Sequence, residues 1–356
     1  MSITSDIIFD EVSGRSGNLG VITLNRPKAL NALNQAMFSA LTHQLNEWDA
    51  ASHIKAVIIK ANEGKAFCAG GDIRETYQRK MQNDPNLIYF FRDEYRLNHR
   101  IFHFPKPYIA LLNGITMGGG VGISMHGSHC LATPDLVFAM PETGIGFFPD
   151  VGTTYLLSRL PYKIGFYLGL TGARMTYDDC YELGLIDAVI EQDKFPEVIY
   201  ALADAVLDSG ADTDAVISQV IQGFSQSTTT SQLLPHREQI LRCFDKESVE
   251  DIMHSLNQES DEWCQQTLAI LKTRSPTSLR VTLRALQSAA GTEFDDCIKT
   301  EYRLANRFLE GHDFFEGIRS VVIDKDHNPH WVPNKLADVS AEEAAKYFAP
   351  LEAELF

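Results

Sequence analysis

The sequence predicts an α/β protein whose last third is mainly helical. Three observations support this prediction. Short apolar runs typical of buried strands alternate with amphipathic helical stretches through the first half of the chain. Two of these runs lead directly into glycine-rich loops. After about residue 195 the strand-like runs nearly vanish, while helical periodicity continues to about residue 310. Repeated strand, loop and helix segments favour a layered α/β architecture.

The individual elements follow from apolar periodicity and from the turn residues that bound each run. Strands are predicted over residues 19–25, 56–61, 107–113, 136–140 and 185–190, and helices over residues 31–50 and 86–103. The tail segment 321–325 is predicted to be extended. We divide the chain into a core over residues 1–195 and a mainly helical region over residues 196–356, which packs on or covers that core.

Composition and charge exclude several classes of function. The chain has 356 residues and a net charge of −16, so it lacks the basic balance of a nucleic-acid-binding protein. No apolar stretch reaches membrane-spanning length, and the six cysteines form no CxxC pair. No metal site is expected, because the sequence shows no ligand cluster. The acidic start MSITSDIIFDEV lacks a leader pattern, so the sequence predicts a cytoplasmic protein without nucleic-acid or membrane partners.

Two glycine-rich loops, GKAFCAGGD at 64–72 and GITMGGGVG at 114–122, each follow a predicted buried strand. Ligands of α/β sheets bind at the carboxyl ends of strands. The loops would expose the backbone N–H groups of Gly71 and Gly119, and two such donors can stabilise an oxyanion. The alternative is that the glycines only allow close packing of strand against helix. Neither loop has the spacing of a P-loop or of a dinucleotide fingerprint.

Four motifs occur in order along residues 25–152: NRPKALNAL, FCAGGD, NGITMGGGVG and FAMPETGIGFFPDVG. Their order and spacing resemble the crotonase (enoyl-CoA hydratase/isomerase) superfamily, which implies a spiral core of repeated ββα units that binds an acyl-CoA. The segments SPTSLRVTLRAL and EYRLANRFLEGHDFFEGIRSVVIDKD, at 275–286 and 301–326, are most similar to the 3-hydroxyisobutyryl-CoA hydrolase family. The resemblance therefore implies hydrolysis of a short hydroxyacyl-CoA thioester in valine catabolism.

The resemblance also implies roles for individual residues. The backbone N–H groups of Gly71 and Gly119 would form an oxyanion hole for the thioester carbonyl. Hydratases of the superfamily use two glutamates; this sequence keeps the second, Glu142, but has Gly122 at the position of the first. Because glycine can neither hold a water molecule nor transfer a proton, hydration by the usual pair is put in doubt.

The hydrolase pattern instead supplies Asp150, eight residues after Glu142, and Glu94 in the segment FFRDEYRLN. Glu142 and Asp150 are predicted to be catalytic, and Glu94 to bind substrate with them. Without the resemblance, Asp150 could simply cap a helix, and the charge run around Glu94 could face solvent. Glu142 would either attack the carbonyl or activate water, and apolar neighbours such as Phe147 and Phe148 would raise its pKa.

Contacts with coenzyme A, a polyanion, require local positive charge on an acidic protein. The resemblance implies that Arg26 and Lys28 in NRPKAL, Ala69 in the oxyanion loop and Lys325 in the IDKD segment lie at the CoA site. These side chains would equally serve as ordinary surface residues. No cofactor is expected, since coenzyme A is part of the substrate. Self-association into a homo-oligomer is a further expectation from the superfamily.

Two alternatives stay open at this point. An enoyl-CoA hydratase or isomerase on the same fold would use Glu142 together with Asp150 or Glu94. A catalytically idle protein of the same fold would act as a binding subunit, which the presence of Gly71, Gly119 and Glu142 disfavours.

Overall fold

The computed structural model describes residues 4–207, 212–228 and 230–356. Its strands are β1 Ile7–Ser13, β2 Asn18–Leu24, β3 Ile54–Ala61, β4 Ala66–Cys68, β5 Tyr108–Leu112, β6 Ile115–Met117, β7 His129–Ala132, β8 Val137–Ala139 and β9 Ala188–Val189. Its helices are α1 Gln35–Ala50, α2 Ile73–Met81, α3 Ile88–Phe102, α4 Gly119–Gly122, α5 Thr153–Ser158, α6 Ile164–Thr171, α7 Tyr177–Glu182, α8 Phe195–Asp204, α9 Thr213–Gln222, α10 Arg237–Phe244, α11 Val249–Gln258, α12 Glu262–Thr273, α13 Pro276–Ala289, α14 Phe294–Glu310, α15 Asp313–Ile318 and α16 Ala341–Lys346.

The strands form two sheets. A six-stranded sheet has the order β1-β2-β3-β5-β7-β9, in which β1 runs antiparallel to β2 and the other neighbours are parallel. The short strands β4, β6 and β8 form a three-stranded sheet. Along the chain, β3–β4–α2, β5–β6–α4 and β7–β8–α5 repeat the order strand, strand, helix. The predicted α/β class, with repeated ββα units and a helical C-terminal region, is confirmed.

Two compact units make up the described chain. Of the described residues, those between 4 and 71, between 96 and 138 and between 175 and 232 belong to the first unit, and those between 72 and 95, between 139 and 174 and between 233 and 356 belong to the second. Each unit therefore draws on segments from both sides of residue 195. The division into a core over 1–195 and a covering helical region over 196–356 stays a prediction. Residues 208–211 and 229 of that helical region lie outside the described residues.

The core of the first unit lies between the six-stranded sheet and helices α8 and α9. Apolar side chains of the sheet meet those of the two helices; they include Leu19, Ile58, Ile109, Leu111 and Leu131 from strands and Val198, Leu202, Ile217 and Ile221 from helices. Full burial of one such side chain stabilises the fold by about 1.5–3 kcal/mol. These buried strands explain why the sequence there reads as continuous apolar runs, as parallel sheets require.

A cluster of phenylalanine rings holds the second unit together. Phe91, Phe147, Phe148, Phe308 and Phe314 have ring centroids between 4.4 and 6.1 Å apart. They come from α3, from the segment before α5, and from α14 and α15. Phe147 and Phe148 of this cluster lie in the segment between residues 142 and 150 and pack against rings from α3, α14 and α15.

The prediction that residues 321–325 are extended is wrong. Residues Arg319–Ile323 form a π-helical turn instead. The Arg319 guanidinium donates hydrogen bonds to the carboxylates of Glu316, Asp324 and Asp326 at 2.8, 2.7 and 2.6 Å. These ion pairs link the residues before the turn to those after it. Across the described ranges, none of the helices combines the length and the apolar character that crossing a membrane would take.

Gly317 offers a test of this packing. A Cβ on Gly317 would lie 2.2 Å from the carbonyl oxygen of Ile145, so Gly317→Ala must displace either α15 or the 3-10 turn Glu142–Ile145. We expect the free energy of unfolding to fall by about 1–3 kcal/mol, measured by urea denaturation. Gly64→Ala is the matched control, because its Cβ would make an ordinary 3.5 Å contact with Pro27. An equal loss in both variants would contradict this account.

Candidate active site

The two glycine loops meet within the first unit. Gly70 has a φ of +108°, and a Cβ on it would lie 3.7 Å from the backbone nitrogen of Gly119. Gly119 is the first residue of α4, and the first N–H groups of a helix have no intrahelical acceptor. Among the described residues, no backbone carbonyl accepts a hydrogen bond from the N–H of Gly71 or of Gly119. Both donors are therefore available to a ligand.

Close packing also requires glycine here. A Cβ on Gly120 would lie 2.4 Å from the carbonyl oxygen of Cys68, so only glycine lets α4 approach β4 this closely. The neighbouring loop is tied by backbone hydrogen bonds, from Ala69 N–H to Leu30 C=O at 3.0 Å and from Leu33 N–H to Gly70 C=O at 2.9 Å. The glycines therefore allow close packing, and the same close packing fixes the positions of the Gly71 and Gly119 N–H groups.

Three carboxyl groups are buried together in the second unit. Glu94 on α3 is 3% exposed, Glu142 at the start of a 3-10 turn is 7% exposed, and Asp150 before α5 is 5% exposed. Glu94 Oε1 and Glu142 Oε2 have no hydrogen-bond partner in the described part of the chain. Because buried polar atoms are nearly always hydrogen-bonded, these two oxygens point to a bound ligand or water.

Burial dominates the electrostatics of this group. It raises the pKa of Glu94 well above its ordinary value, and the charges of Asp150 and Glu142 raise it further. Burial and then the charge of Asp150 raise the pKa of Glu142. Burial also raises the pKa of Asp150 to about 7, although the hydrogen bond from Tyr95 opposes that rise. Neighbouring buried carboxyls with raised pKa values are typical of acid–base sites.

Two phenylalanines lie a few residues after Glu142 in the same buried segment. Phe147 and Phe148 are both buried, and the backbone N–H of Phe147 donates a 3.0 Å hydrogen bond to the backbone carbonyl of Glu142. The alternative that Glu94 belongs to a solvated charge run is wrong, because its neighbours Arg92 and Asp93 pair with each other while Glu94 turns inward.

Asp150 does not cap the next helix with its side chain. Its Oδ2 accepts a 2.6 Å hydrogen bond from the Tyr95 hydroxyl, and α5 has no side-chain cap at Gly152. Glu301 instead accepts hydrogen bonds from the backbone N–H groups of Gly152 and Thr154 at 2.6 and 3.0 Å. Tyr95 and Glu301 were not identified from the sequence, although Glu301 lies on the apolar side of its helix.

The predicted CoA contacts are distributed over both units. In the first unit, Arg26 is half-buried and donates to the carbonyl of Ala32 at 2.8 Å, while Lys28 is exposed and Ala69 is half-buried. In the second unit, Lys325 is exposed, with a φ of +58°. Contact of these residues with CoA stays a prediction.

The raised pKa values make a prediction about stability. A carboxyl whose pKa is higher in the folded than in the unfolded protein ionises first in the unfolded state, so the free energy of unfolding falls as pH rises between the two values. We expect the free energy of unfolding of the wild type, measured by urea denaturation, to fall as the pH rises from about 4 to about 7, and that of Glu142→Gln to fall less. An equal loss in the two proteins would contradict the raised pKa of Glu142.

Comparison with known proteins identifies the family. Residues 19–348 match the family model described as Enoyl-CoA hydratase/isomerase. The curated protein named 3-hydroxyisobutyryl-CoA hydrolase, mitochondrial, from Danio rerio is 41% identical over 353 residues, which cover 98% of this chain and 90% of the relative. The protein of the same name from Homo sapiens is 38% identical over 356 residues, covering 99% and 91%.

Two solved structures are similar over nearly their full length. A carnitinyl-CoA dehydratase from Mycobacterium thermoresistibile has a TM-score of 0.90 and 35% identity, covering 99% of both chains. An enoyl-CoA hydratase from Rhodobacter sphaeroides 2.4.1 has a TM-score of 0.86 and 35% identity, covering 98% of both chains. The resemblance seen in the sequence motifs is confirmed along the helical C-terminal region as well as the sheets, and the chain belongs to the enoyl-CoA hydratase/isomerase family.

Proposed function

We propose that this protein hydrolyses the thioester of 3-hydroxyisobutyryl-CoA or of a closely similar short hydroxyacyl-CoA. The observation that carries the proposal is that the carboxyl groups of Glu94, Glu142 and Asp150 are all buried, in a chain that has glycine at position 122. The curated relatives at 38–41% identity, named for this hydrolysis, support it. A role in valine catabolism is part of the proposal.

The proposed chemistry divides between backbone and side chains. The N–H groups of Gly71 and Gly119 bind the thioester carbonyl oxygen and stabilise the negative charge that develops on it. Glu142 acts on the carbonyl carbon, either by direct attack to form a mixed anhydride with release of the CoA thiolate, or by deprotonating a water molecule that attacks. Asp150 orients the substrate hydroxyl or protonates the leaving thiolate.

Label in the enzyme identifies the anhydride route when water attacks the anhydride at the Glu142 carbonyl. Under single-turnover conditions in ¹⁸O water, hydrolysis of an anhydride at the Glu142 carbonyl would leave label in the peptide that contains Glu142. A general-base route puts label only in the released hydroxy acid.

Substrate choice gives a test of the proposal and of Asp150. A site that hydrogen-bonds the substrate hydroxyl discriminates against an analogue that lacks it. We expect kcat/KM for 3-hydroxyisobutyryl-CoA to exceed that for isobutyryl-CoA by at least about tenfold in the wild type, and the ratio to shrink in Asp150→Asn. Free thiol release measures both rates. Equal kcat/KM values for the two substrates in the wild type would overturn the assignment of a hydroxyacyl group.

Binding of the CoA moiety is proposed to use Arg26, Lys28 and Lys325, with Ala69 lining the thioester end. No cofactor is proposed beyond the coenzyme A of the substrate, and a homo-oligomer is the proposed assembly. The cytoplasm is the proposed compartment, whereas the curated relatives carry "mitochondrial" in their names. Light scattering tests the assembly, and fractionation of the source cells tests the compartment.

Hydration of an enoyl-CoA is the second candidate function. It is favoured by the two solved structures, which are named as a dehydratase and a hydratase and are each 35% identical over nearly the whole chain. It is disfavoured by Gly122, which cannot replace the first glutamate of a hydratase. The two reactions differ in product, because hydrolysis releases a free thiol and hydration consumes the enoyl double bond.

A further inference from the structure

Tyr95 is buried directly beside a proposed catalytic group. Its hydroxyl donates a 2.6 Å hydrogen bond to Asp150 Oδ2, and its ring is fully buried. The ring packs edge-on against Phe91 and Tyr302, with centroid distances of 6.1 and 6.5 Å. Burial and the nearby negative charge of Asp150 raise the pKa of the Tyr95 hydroxyl well above its usual range, so this group stays a donor. One oxygen of Asp150 is thereby fixed in place.

Glu301 fixes the backbone on the other side of Asp150. Its Oε1 accepts hydrogen bonds from Thr154 N–H at 3.0 Å and from the Thr154 hydroxyl at 2.6 Å, and its Oε2 accepts from Gly152 N–H at 2.6 Å. The carboxyl group is completely buried on α14. Gly152, the residue at the start of α5, has no side chain to cap the helix.

The turn that Glu301 holds is strained. Val151, directly after Asp150, has a φ of +56°, a conformation that a β-branched residue adopts only when its surroundings impose it. Such outliers persist at sites where the position of a neighbouring group matters for function. The three hydrogen bonds to Glu301 begin at the residue after Val151 and supply that constraint.

We propose that Tyr95 and Glu301 are positioning residues that hold the Asp150 carboxyl in its reactive orientation, Tyr95 through Oδ2 and Glu301 through the strained turn after it. This inference rests on the proposed thioester hydrolysis, in which Asp150 contacts the substrate. Neither residue acts on the substrate itself. A displacement of about 1 Å at a reacting group costs roughly 100-fold in rate, so loss of either restraint lowers kcat more than it raises KM.

The first test is Tyr95→Phe, which keeps the ring and removes only the donor. We expect kcat to fall about 10- to 100-fold with KM changed little. In an Asp150→Asn background the same substitution is expected to have little further effect, because two residues that act through one group are not additive. Tyr302→Phe is the matched control: it removes a hydroxyl from the adjoining ring and should leave kcat near the wild-type value.

A pH titration separates positioning from mere packing. The titratable groups that face Asp150 are Glu94, Tyr95, Glu142 and Glu301. The Tyr95 hydrogen bond favours the ionised form of Asp150, so the Asp150 pKa should rise from about 7 in Tyr95→Phe. Carbon-13 NMR of aspartate-labelled, ligand-free protein measures this pKa, with Asp150→Asn assigning the signal. This readout needs no substrate.

Glu301→Gln is the second variant, and it keeps the inference testable if Tyr95→Phe does not fold. The amide retains the shape but turns one acceptor into a donor facing a backbone N–H. We expect a similar fall in kcat that again nearly vanishes in the Asp150→Asn background.

The outcomes separate the two proposals. If the wild type releases no thiol from 3-hydroxyisobutyryl-CoA, the proposed function fails, and the NMR titration alone decides the positioning role. If the wild type is active but Tyr95→Phe and Glu301→Gln leave both kcat and the Asp150 pKa unchanged, the positioning role is overturned. Equal losses of kcat with and without Asp150 would also overturn it, since they would show a general packing effect.

Discussion

Replacing Glu142 by Gln is expected to remove essentially all thioester hydrolysis, by at least about 10²–10⁴-fold in kcat. Glutamine keeps the shape of the side chain but can neither attack a carbonyl nor accept a proton from water. The residue is buried, and one of its carboxyl oxygens has no hydrogen-bond partner among the described residues. Release of free thiol from 3-hydroxyisobutyryl-CoA is the measurement.

Binding and folding must be followed in the same variant. Affinity for free CoA, by calorimetry, is expected to stay near the wild-type value, because the proposed contacts with the CoA moiety are made by other residues. Glu352→Gln, an exposed position, is the matched control and should retain full activity. A folded Glu142→Gln protein that still hydrolyses the thioester at near the wild-type rate would remove Glu142 from the mechanism.

Gly120→Ala is expected to have the second largest effect. The added Cβ would lie 2.4 Å from the Cys68 carbonyl oxygen, and a backbone atom cannot rotate away as a side chain would. The start of α4 must therefore move, and the adjoining N–H of Gly119 moves with it. Loss of one oxyanion donor lowers kcat by about 10²–10³-fold. Steady-state kinetics with the same thioester measure the effect.

Two further variants serve as a control and as an independent test of the Gly119 N–H group. Gly64→Ala, with only an ordinary contact at its Cβ, is the matched control and should keep its activity. Gly119→Pro removes the N–H itself at the first helical position, where proline is tolerated. If Gly120→Ala and Gly119→Pro both fold and both keep the wild-type kcat, the Gly119 N–H does not serve as an oxyanion donor.

Long apolar runs allowed the main strands to be predicted. The runs at 19–25, 56–61 and 107–113 correspond to β2, β3 and β5, which pair in parallel within the six-stranded sheet and are buried, so that nearly every position is apolar. The strands β4 and β6 were missed because three residues carry no periodicity, and both lie within segments whose glycines indicate loops.

Two site residues, Glu94 and Glu301, could have been predicted to be buried from the sequence, because each is a charged residue on the apolar face of a helix. Glu94 follows Phe90 and Phe91 at helical spacing, and Glu301 lies between Ile298 and Ala305 on the buried side of α14. A carboxyl at such a position is buried and needs partners. That pattern predicts a buried Glu301. The contact of Tyr95 with Asp150 could not be predicted in this way, because it depends on the fold that brings α3 beside Asp150.

The proposed reaction explains why the residues around Asp150 lower the free energy of unfolding. Burying three carboxyls raises their pKa values and lowers the free energy of unfolding at neutral pH, and Val151 adds backbone strain. These features have no value for packing alone. They are what a site needs if a carboxyl must be reactive near neutral pH and held in one orientation.

The central claim, that this protein cleaves thioesters and does not hydrate enoyl groups, is tested most directly by following two signals from one preparation. The purified protein is given 3-hydroxyisobutyryl-CoA and, separately, crotonyl-CoA, while free thiol and enoyl absorbance are recorded. We expect stoichiometric thiol release from 3-hydroxyisobutyryl-CoA and no loss of enoyl absorbance without thiol from crotonyl-CoA. Loss of enoyl absorbance from crotonyl-CoA, with no thiol from either substrate, would contradict the account and identify a hydratase.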